Sequence, residues 1–266
     1  MPKMKIKNIS MYYEVHGVGE PIIFIAGFSV DHSVWQEVLP YFKDKYKVIL
    51  LDNRGAGQTD IPPGSYTIAE MADDVVQLCG QLKIKQAHFV GNSMGGLIVQ
   101  TLAFKQPDLV KSATISNAVM TIHTPYHLYM DAQLDLLKAQ APMHTLIKAS
   151  ASWLFSFQFL SKPGAVEQLI QQGLSNPYPF TLPGYEGQYR ALANFDSSAW
   201  VSQIKVPTLV LAGDEDLIFN KEAVHNLAKN MLNAEYFCFT HCGHLPYIEY
   251  PKLFASEIKS FHAKLD

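Results

Sequence analysis

The stretch that decides the fold is QAHFVGNSMGGLIVQTLAFKQP, residues 86–107. Its first part is a short apolar run, which predicts a buried strand over residues 87–91. Its second part predicts a helix from about Met94 to Gln106. The strand turns into the helix at Gly-Asn-Ser-Met-Gly, which matches the pattern G-x-S-x-G. In that pattern a serine occupies a strained turn with its hydroxyl exposed, so Ser93 is the predicted nucleophile.

Strands and helices alternate on both sides of this stretch. Such alternation predicts an α/β fold with a mostly parallel, doubly wound sheet. A loosely alternating segment near the start predicts an antiparallel hairpin at the sheet edge. The hairpin is expected at residues 5–17, further strands at 21–27, 47–52, 111–117, 206–213 and 235–239, and helices at 33–42, 67–82, 221–231 and from Pro251.

The alternation stops between residues 119 and 199. This segment shows no comparable buried strand, and only nine of its residues are charged. Aromatic residues are dense instead, as in WLFSFQF at 153–159. We interpret the segment as a helical cap inserted after the sixth strand. Residues 1–118 and 200–266 would then form the core domain.

Composition limits the classes of function. The 266 residues are 48% apolar and 17% charged, with a net charge of -3, so a basic surface for nucleic acid is not expected. The three cysteines are too few for a disulfide framework. No secretory signal or run of about 20 apolar residues is evident. We expect a soluble, cytoplasmic protein, a monomer or homodimer, with neither a nucleic acid nor a membrane as partner.

A serine nucleophile needs a base and a residue that orients the base. His244 lies in a loop after a predicted strand, although His241 competes for the role, and a metal pair with Cys242 is a further reading. That pair lacks a second set of zinc ligands. The acid is expected between nucleophile and base in the chain. Among the three consecutive acids of 214–216, Asp216 lies furthest along the turn and is favoured.

Acyl transfer also needs backbone donors for the oxyanion. One expected donor is the N–H of Met94, which follows the nucleophile. The second is expected from the loop after the strand that ends near Ala26. Phe28 is the natural candidate in that loop.

Four motifs together resemble the α/β-hydrolase superfamily, in its capped, esterase-like branch. The resemblance covers the whole chain in order. It implies that the acid follows the glycine of its turn by three residues, which favours Asp216, and that the histidine of G-H-x-x-x-x-E-x-P is the base, which favours His244. It also implies a structural role for the motif LDNRGAGQTD at residues 51–60, with Arg54 ion-paired. The motifs are GNSMGG (91–96), LDNRGAGQTD (51–60), AGDEDLIF (212–219) and GHLPYIEYP (243–251).

The expected reaction is hydrolysis of a small to medium carboxylic ester through an acyl-enzyme, with no metal or organic cofactor. The sparsely charged, aromatic cap favours apolar or aromatic substrate groups. Some aromatic side chains are candidates for contact with a small-molecule ester substrate. They are Trp35, Trp153, Phe155, Phe157 and Phe159.

Other activities on a similar scaffold remain open. Enol-lactonases and carbon–carbon bond hydrolases also use a serine triad, and a methyl ester linked to a carrier protein is another substrate class. Dehalogenases and epoxide hydrolases carry aspartate at the position of Ser93, which argues against both. The alternative from a different class is a non-catalytic ligand receptor on the same fold.

Overall fold

A computed structural model describes residues 3–265. Their eight strands form one sheet in the order β1-β2-β4-β3-β5-β6-β7-β8. Strand β2 pairs antiparallel with β1 and with β4, and the other five pairings, from β4–β3 to β7–β8, are parallel. The strands are β1 (Lys3–Ile6), β2 (Ile9–His16), β3 (Glu20–Ile25), β4 (Tyr46–Leu51), β5 (Ala87–Asn92), β6 (Val110–Ser116), β7 (Thr208–Gly213) and β8 (Ala234–Phe239).

Helices cover both faces of the sheet, which confirms the predicted α/β class. Within residues 3–265, no helix combines the length and the apolar character needed to cross a membrane. The helices are α1 (Ile68–Gln81), α2 (Met94–Lys105), α3 (Thr124–Lys138), α4 (Met143–Leu154), α5 (Phe157–Leu160), α6 (Ala165–Ser175), α7 (Leu182–Ala193), α8 (Lys221–Asn230), α9 (Pro246–Glu249) and α10 (Pro251–His262).

The parallel strands are apolar on both faces because each face supports its own core. In β3, Ile23 and Ile25 belong to one hydrophobic cluster, whereas Ile22 and Phe24 belong to the other. Helices α1, α2 and α8 cover the first cluster, and α10 covers the second. This two-sided burial is why these strands read as continuous apolar runs.

The strand order reverses around β3. After β3 the chain forms β4 on one side of it and later returns to form β5 on the other side. The carboxyl ends of β3 and β5 therefore meet at a topological switch point, where open α/β sheets form their binding crevices. Ser93 directly follows β5, so the sheet places it at this crevice.

The helix expected over residues 33–42 is wrong. The segment forms two separate 3₁₀ turns, His32–Trp35 and Leu39–Tyr41. Pro40 lies in the second turn. Because proline has no backbone N–H, it cannot continue an α-helical hydrogen-bond ladder from the first turn.

Five helices, α3 to α7, lie between β6 and β7, and we refer to residues 119–199 as the helical insert. Its two ends meet, because Thr121 and Asp196 form an isolated antiparallel bridge. The N–H of Ser197 also donates to the carbonyl of Met120 at 2.9 Å. The division of the chain into a core domain and a cap domain stays a prediction.

A buried histidine pair lies where α10 packs on the sheet. The rings of His88 and His262 stack with their centroids 3.8 Å apart, and the hydroxyl of Tyr46 lies 3.1 Å from Nδ1 of His262. Burial lowers the pKa of His262 to about 3, and the nearby His88 and Lys111 act in the same direction. The folded protein therefore holds His262 neutral.

This pair predicts that the protein loses stability in mild acid. In the unfolded chain a histidine binds its proton near pH 6.5, so stability falls as the pH drops from that value toward 3, by at most about 1.4 kcal/mol per pH unit for this group. We expect a smaller loss of Tm between pH 7.5 and pH 5 in His262→Phe than in the wild type. The exposed His144→Phe is the matched control. Parallel Tm curves for wild type and His262→Phe would contradict this explanation.

Candidate active site

Ser93 occupies a strained turn between β5 and α2. Its φ of 55° and ψ of -122° lie in a region that residues with a Cβ rarely adopt. Hydrogen bonds fix the turn: the N–H of Ser93 donates to Ser116 at 2.9 Å, and its carbonyl accepts from Gly96 at 2.8 Å. The predicted nucleophile is therefore held at the carboxyl end of the central strand.

Two glycines make the turn possible. A Cβ at Gly91 would lie 2.2 Å from the carbonyl oxygen of Gly95, and a Cβ at Gly95 would lie 2.1 Å from that of Ile25. Both distances are far below van der Waals contact. The start of α2 can therefore pack directly on β3 and β5 only because these side chains are missing.

The predicted acid and base lie together. Nδ1 of His244 is 2.8 Å from Oδ2 of Asp216, and both side chains are almost fully buried. The other oxygen of Asp216 accepts the backbone N–H groups of Ile218 at 2.8 Å and Phe219 at 3.0 Å. This carboxylate is thus oriented by four hydrogen bonds when that from Asn117 is included, and it leaves Nε2 of His244 for the cavity.

Asn117 is a site residue that the sequence analysis missed. Its Nδ2 donates to Oδ2 of Asp216 at 2.8 Å, and its φ of 46° is left-handed. It directly follows β6, whose carboxyl end neighbours that of β7. A polar residue at the end of the strand next to the acid is the signal that could have identified it.

The loop expected to supply the second oxyanion donor touches Ser93. A Cβ at Gly27 would lie 3.4 Å from the Cβ of Ser93. The loop is anchored from both sides, because Asn53 donates to the carbonyl of Ala26 at 3.0 Å and the N–H of Ser29 donates to Gln188 of α7 at 2.7 Å. Phe28 therefore lies between two fixed points.

The backbone amides of Phe28 and Met94 donate no hydrogen bond within the part of the chain that the structure describes. Both belong to segments that border Ser93, as an oxyanion site requires. Ser93 Oγ likewise has no hydrogen bond to His244 among residues 3–265, and such contacts often shorten only when a substrate binds. The loop 52–55 is structural, as expected, because Arg54 forms a bidentate pair with Asp74 at 2.6 and 2.8 Å.

A cavity of about 290 Å³ opens onto Ser93 and His244. Its walls come from the loop after β3, from α3, α4, α6 and α7 of the helical insert, and from the segment around His244. No aspartate, glutamate, lysine or arginine lines it among the described residues. The cavity therefore suits an apolar, uncharged group.

The structure changes the set of aromatic residues at the cavity. Only Phe155 of the five candidates lines it. Trp35 is a correction, since it is buried between Tyr247 and Phe254 in the core. Phe157 is another correction, because it is 81% exposed.

Trp153 and Phe159 do not line the cavity but pack against residues that do, so the expectation that they contact the substrate is also corrected. Trp153 packs on Tyr129 with ring centroids 4.9 Å apart, and Phe159 stacks on Phe155 at 4.7 Å. The lining residues missed by the sequence analysis include Tyr126, Tyr129 and Gln133, all on α3. The pattern of residues along a helix does not show which neighbour its face meets.

Glu249 links the loop that contains Gly243 and His244 to the helical insert. Its Oε1 accepts the N–H groups of Gly243 at 2.9 Å and Ser156 at 3.1 Å, and its Oε2 accepts the hydroxyl of Ser156 at 2.5 Å. The N–H of His244 also donates to the carbonyl of Leu154 at 2.8 Å. Burial raises the pKa of Glu249, against the effect of these donors.

One group of side chains could offer ligands to a cation. Single ligand atoms of Asp31, His32 and Asp52 lie within 4.8 Å of one another. Each has other partners: Oδ1 of Asp52 lies 2.7 Å from Nδ1 of His32, and Oδ2 of Asp31 accepts from Asn176 at 2.8 Å. These bonds join the segments that follow β3, β4 and α6, and they account for the cluster as a structural one.

The fold and the site define a class of enzyme. Residues 20–251 match the family described as alpha/beta hydrolase fold, and the chain belongs to that family. A 3-oxoadipate enol-lactonase of Acinetobacter baylyi is 28% identical over 259 residues, which cover 96% of this chain and 93% of that protein. The similarity supports a hydrolase.

Two solved structures extend the comparison. A thermophilic esterase from Thermogutta terrifontis has a TM-score of 0.84 and 25% identity, with 97% of this chain and 94% of that chain covered. An N-acyl homoserine lactone degrading enzyme has a TM-score of 0.80 and 28% identity, with 98% and 100% covered. This chain is therefore similar to hydrolases that are named for esters and for lactones.

We predict that the Glu249 contacts support both stability and turnover. In Glu249→Ala two buried N–H groups lose their acceptor, so the free energy of unfolding should fall by about 2 to 4 kcal/mol. The kcat for hydrolysis should fall at least about tenfold. Urea unfolding and steady-state kinetics measure the two effects.

Glu249→Gln is the matched control. Its amide oxygen can accept from both N–H groups, and the hydroxyl of Ser156 can turn to accept from its amide nitrogen. We expect it to keep most of the stability and turnover. If Glu249→Ala had the same stability and kcat as the wild type, the Glu249 contacts would not be needed to position His244.

Proposed function

We propose that the protein is a serine hydrolase that cleaves uncharged carboxylic esters of small to medium size through an acyl-enzyme on Ser93. The observation that carries the proposal is the grouping of Ser93, the His244–Asp216 pair and two unengaged backbone amides at one apolar cavity. Serine, histidine and carboxylate in this chain order are the parts of an acyl-transfer site.

In the first half-reaction, Nε2 of His244 takes the hydroxyl proton of Ser93, and Oγ attacks the ester carbonyl carbon. The amides of Phe28 and Met94 donate to the oxyanion that forms. When the carbonyl re-forms, the ester C–O bond breaks, and the alcohol leaves with the proton from His244.

In the second half-reaction, water attacks the acyl carbon while His244 takes its proton. The carboxylic acid leaves and Ser93 regains its hydrogen. Asp216 keeps the proton of the neutral imidazole on Nδ1 and orients the ring so that Nε2 faces Ser93. It also stabilises the imidazolium during both steps. No step draws on a metal or an organic cofactor.

An uncharged lactone is the second candidate substrate, favoured by the two lactone-cleaving relatives. A lactone is a cyclic ester and needs the same chemistry. The cavity selects among lactones, because it offers no lysine or arginine among its described lining residues. A free carboxylate, as in a lactone of 3-oxoadipate, would be buried there without a partner at a large cost in free energy.

The proposal predicts hydrolysis of p-nitrophenyl esters in a series of increasing acyl length, assayed beside an uncharged lactone. Activity should decline once the acyl chain outgrows the cavity. Ser93→Ala should lower kcat/KM by about 10⁴-fold or more with its Tm unchanged, since the nucleophile is removed.

The exposed Ser202→Ala is the matched control and should behave as wild type. Turnover that survives in Ser93→Ala would refute Ser93 as nucleophile. Stoichiometric capture of these compounds without turnover in the folded wild type would favour the receptor alternative.

A further inference from the structure

Helix α3 presents an unusual face to the cavity. Its buried residues are Tyr126, Met130 and Gln133, which follow one another at the spacing of a single helical stripe. Such a stripe normally consists of apolar residues. Here a hydroxyl and an amide interrupt it, although Tyr126 is only 4% exposed and Gln133 only 7%.

Neither polar group has a partner in the protein. Within residues 3–265, the hydroxyl of Tyr126 and the side-chain amide of Gln133 form no hydrogen bond. They also differ from the amide of Asn92, which is fully enclosed and unpartnered. The groups on α3 remain reachable from the cavity that their residues line.

A buried polar group without a hydrogen bond costs about 1 to 3 kcal/mol, so two groups with no partner in the protein must be satisfied by what enters the cavity, water or a ligand. We infer that Tyr126 and Gln133 form a polar subsite that binds an uncharged oxygen-bearing group of the substrate, such as a ketone, amide or hydroxyl oxygen. The inference deepens the proposed function and rests on it for the position of the scissile bond.

The subsite has a direction relative to the reacting groups. Phe219 contacts both the ring of Tyr126, at 5.1 Å between centroids, and that of His244, at 5.6 Å. Tyr126 is therefore separated from His244 by a single ring. Gln133 lies seven residues further on, about 10 Å along the helix axis. A substrate can thus carry its oxygen close to the ester or well beyond it.

Charge decides which oxygen groups fit. A carboxylate or phosphate would need a cation, and no lysine or arginine lines the cavity among the described residues. Burial raises the pKa of Tyr126 well above its usual value, so its hydroxyl stays a donor at neutral pH. Gln133 can donate and accept. A neutral carbonyl or hydroxyl oxygen satisfies either residue.

The kinetic test compares p-nitrophenyl octanoate with its 4-oxo to 7-oxo derivatives, which match it in length. We expect at least one oxo ester to have a KM about tenfold lower than octanoate in the wild type. One of two variants, Gln133→Met or Tyr126→Phe, should reduce that preference to less than about twofold, and the variant that does so identifies the residue that binds the oxygen. Tyr189→Phe is the matched control and should keep it, because its hydroxyl donates to Asp131 outside the cavity.

A binding test separates the subsite from the ester chemistry. Calorimetry measures the Kd of octanone isomers for Ser93→Ala, alone and combined with Gln133→Met, Tyr126→Phe or Tyr189→Phe. We expect Kd to rise about tenfold with Gln133→Met or with Tyr126→Phe, according to the position of the ketone, and to stay constant with Tyr189→Phe.

The outcomes are distinct. Ketone binding that depends on Tyr126 or Gln133 in a protein that hydrolyses no ester would uphold the subsite and refute the proposed function. Ester turnover without any preference for an oxo position, together with equal ketone affinity in all variants, would overturn the subsite. Solvent alone would then satisfy these two side chains.

Discussion

The rest of the site depends on the close approach of the first turn of α2 to strands β3 and β5. That approach forces Ser93 into its left-handed conformation and leaves no room for side chains at Gly91 and Gly95. The N–H of Ser93 donates to the carbonyl of Ser116 at the end of β6. The sheet therefore holds the hydroxyl of Ser93 at the carboxyl ends of its central strands. The local strain is offset by a helix that is buried along most of its length.

The helical insert is part of this geometry rather than a separate cover. The end of α4 accepts the N–H of His244. Glu249 joins Ser156 of the insert to Gly243, and Gln188 of α7 accepts the N–H of Ser29 in the loop after β3. Two segments of the site, the loop that contains His244 and the loop after β3, are thus fixed by the element that also lines most of the cavity. A change in the insert that alters the cavity would therefore also shift His244 and the loop that precedes Ser29.

The sequence predicted the parts whose signals are local. The Ser93 turn, the strands and the order of acid and base follow from short patterns, and the structure brings Asp216 and His244 together. Asn117 and Gln133 were missed because their roles depend on contacts between elements far apart in the chain. Trp35 and Phe157 show the same limit: composition indicates an aromatic segment, but only packing decides whether a ring lies in the core, in solvent or at the cavity. In residues 33–42 the helical pattern was outweighed by Pro40.

The central claim is that Oγ of Ser93 forms a covalent bond with the substrate while His244 acts as the base. The most direct measurement is the intact mass of the protein after incubation with a fluorophosphonate that carries a short alkyl chain, followed by peptide mapping. We expect one adduct per chain, on the peptide that contains Ser93, and a rate of labelling that falls steeply in His244→Ala. Labelling at another residue, or labelling of Ser93 at the same rate without His244, would contradict it.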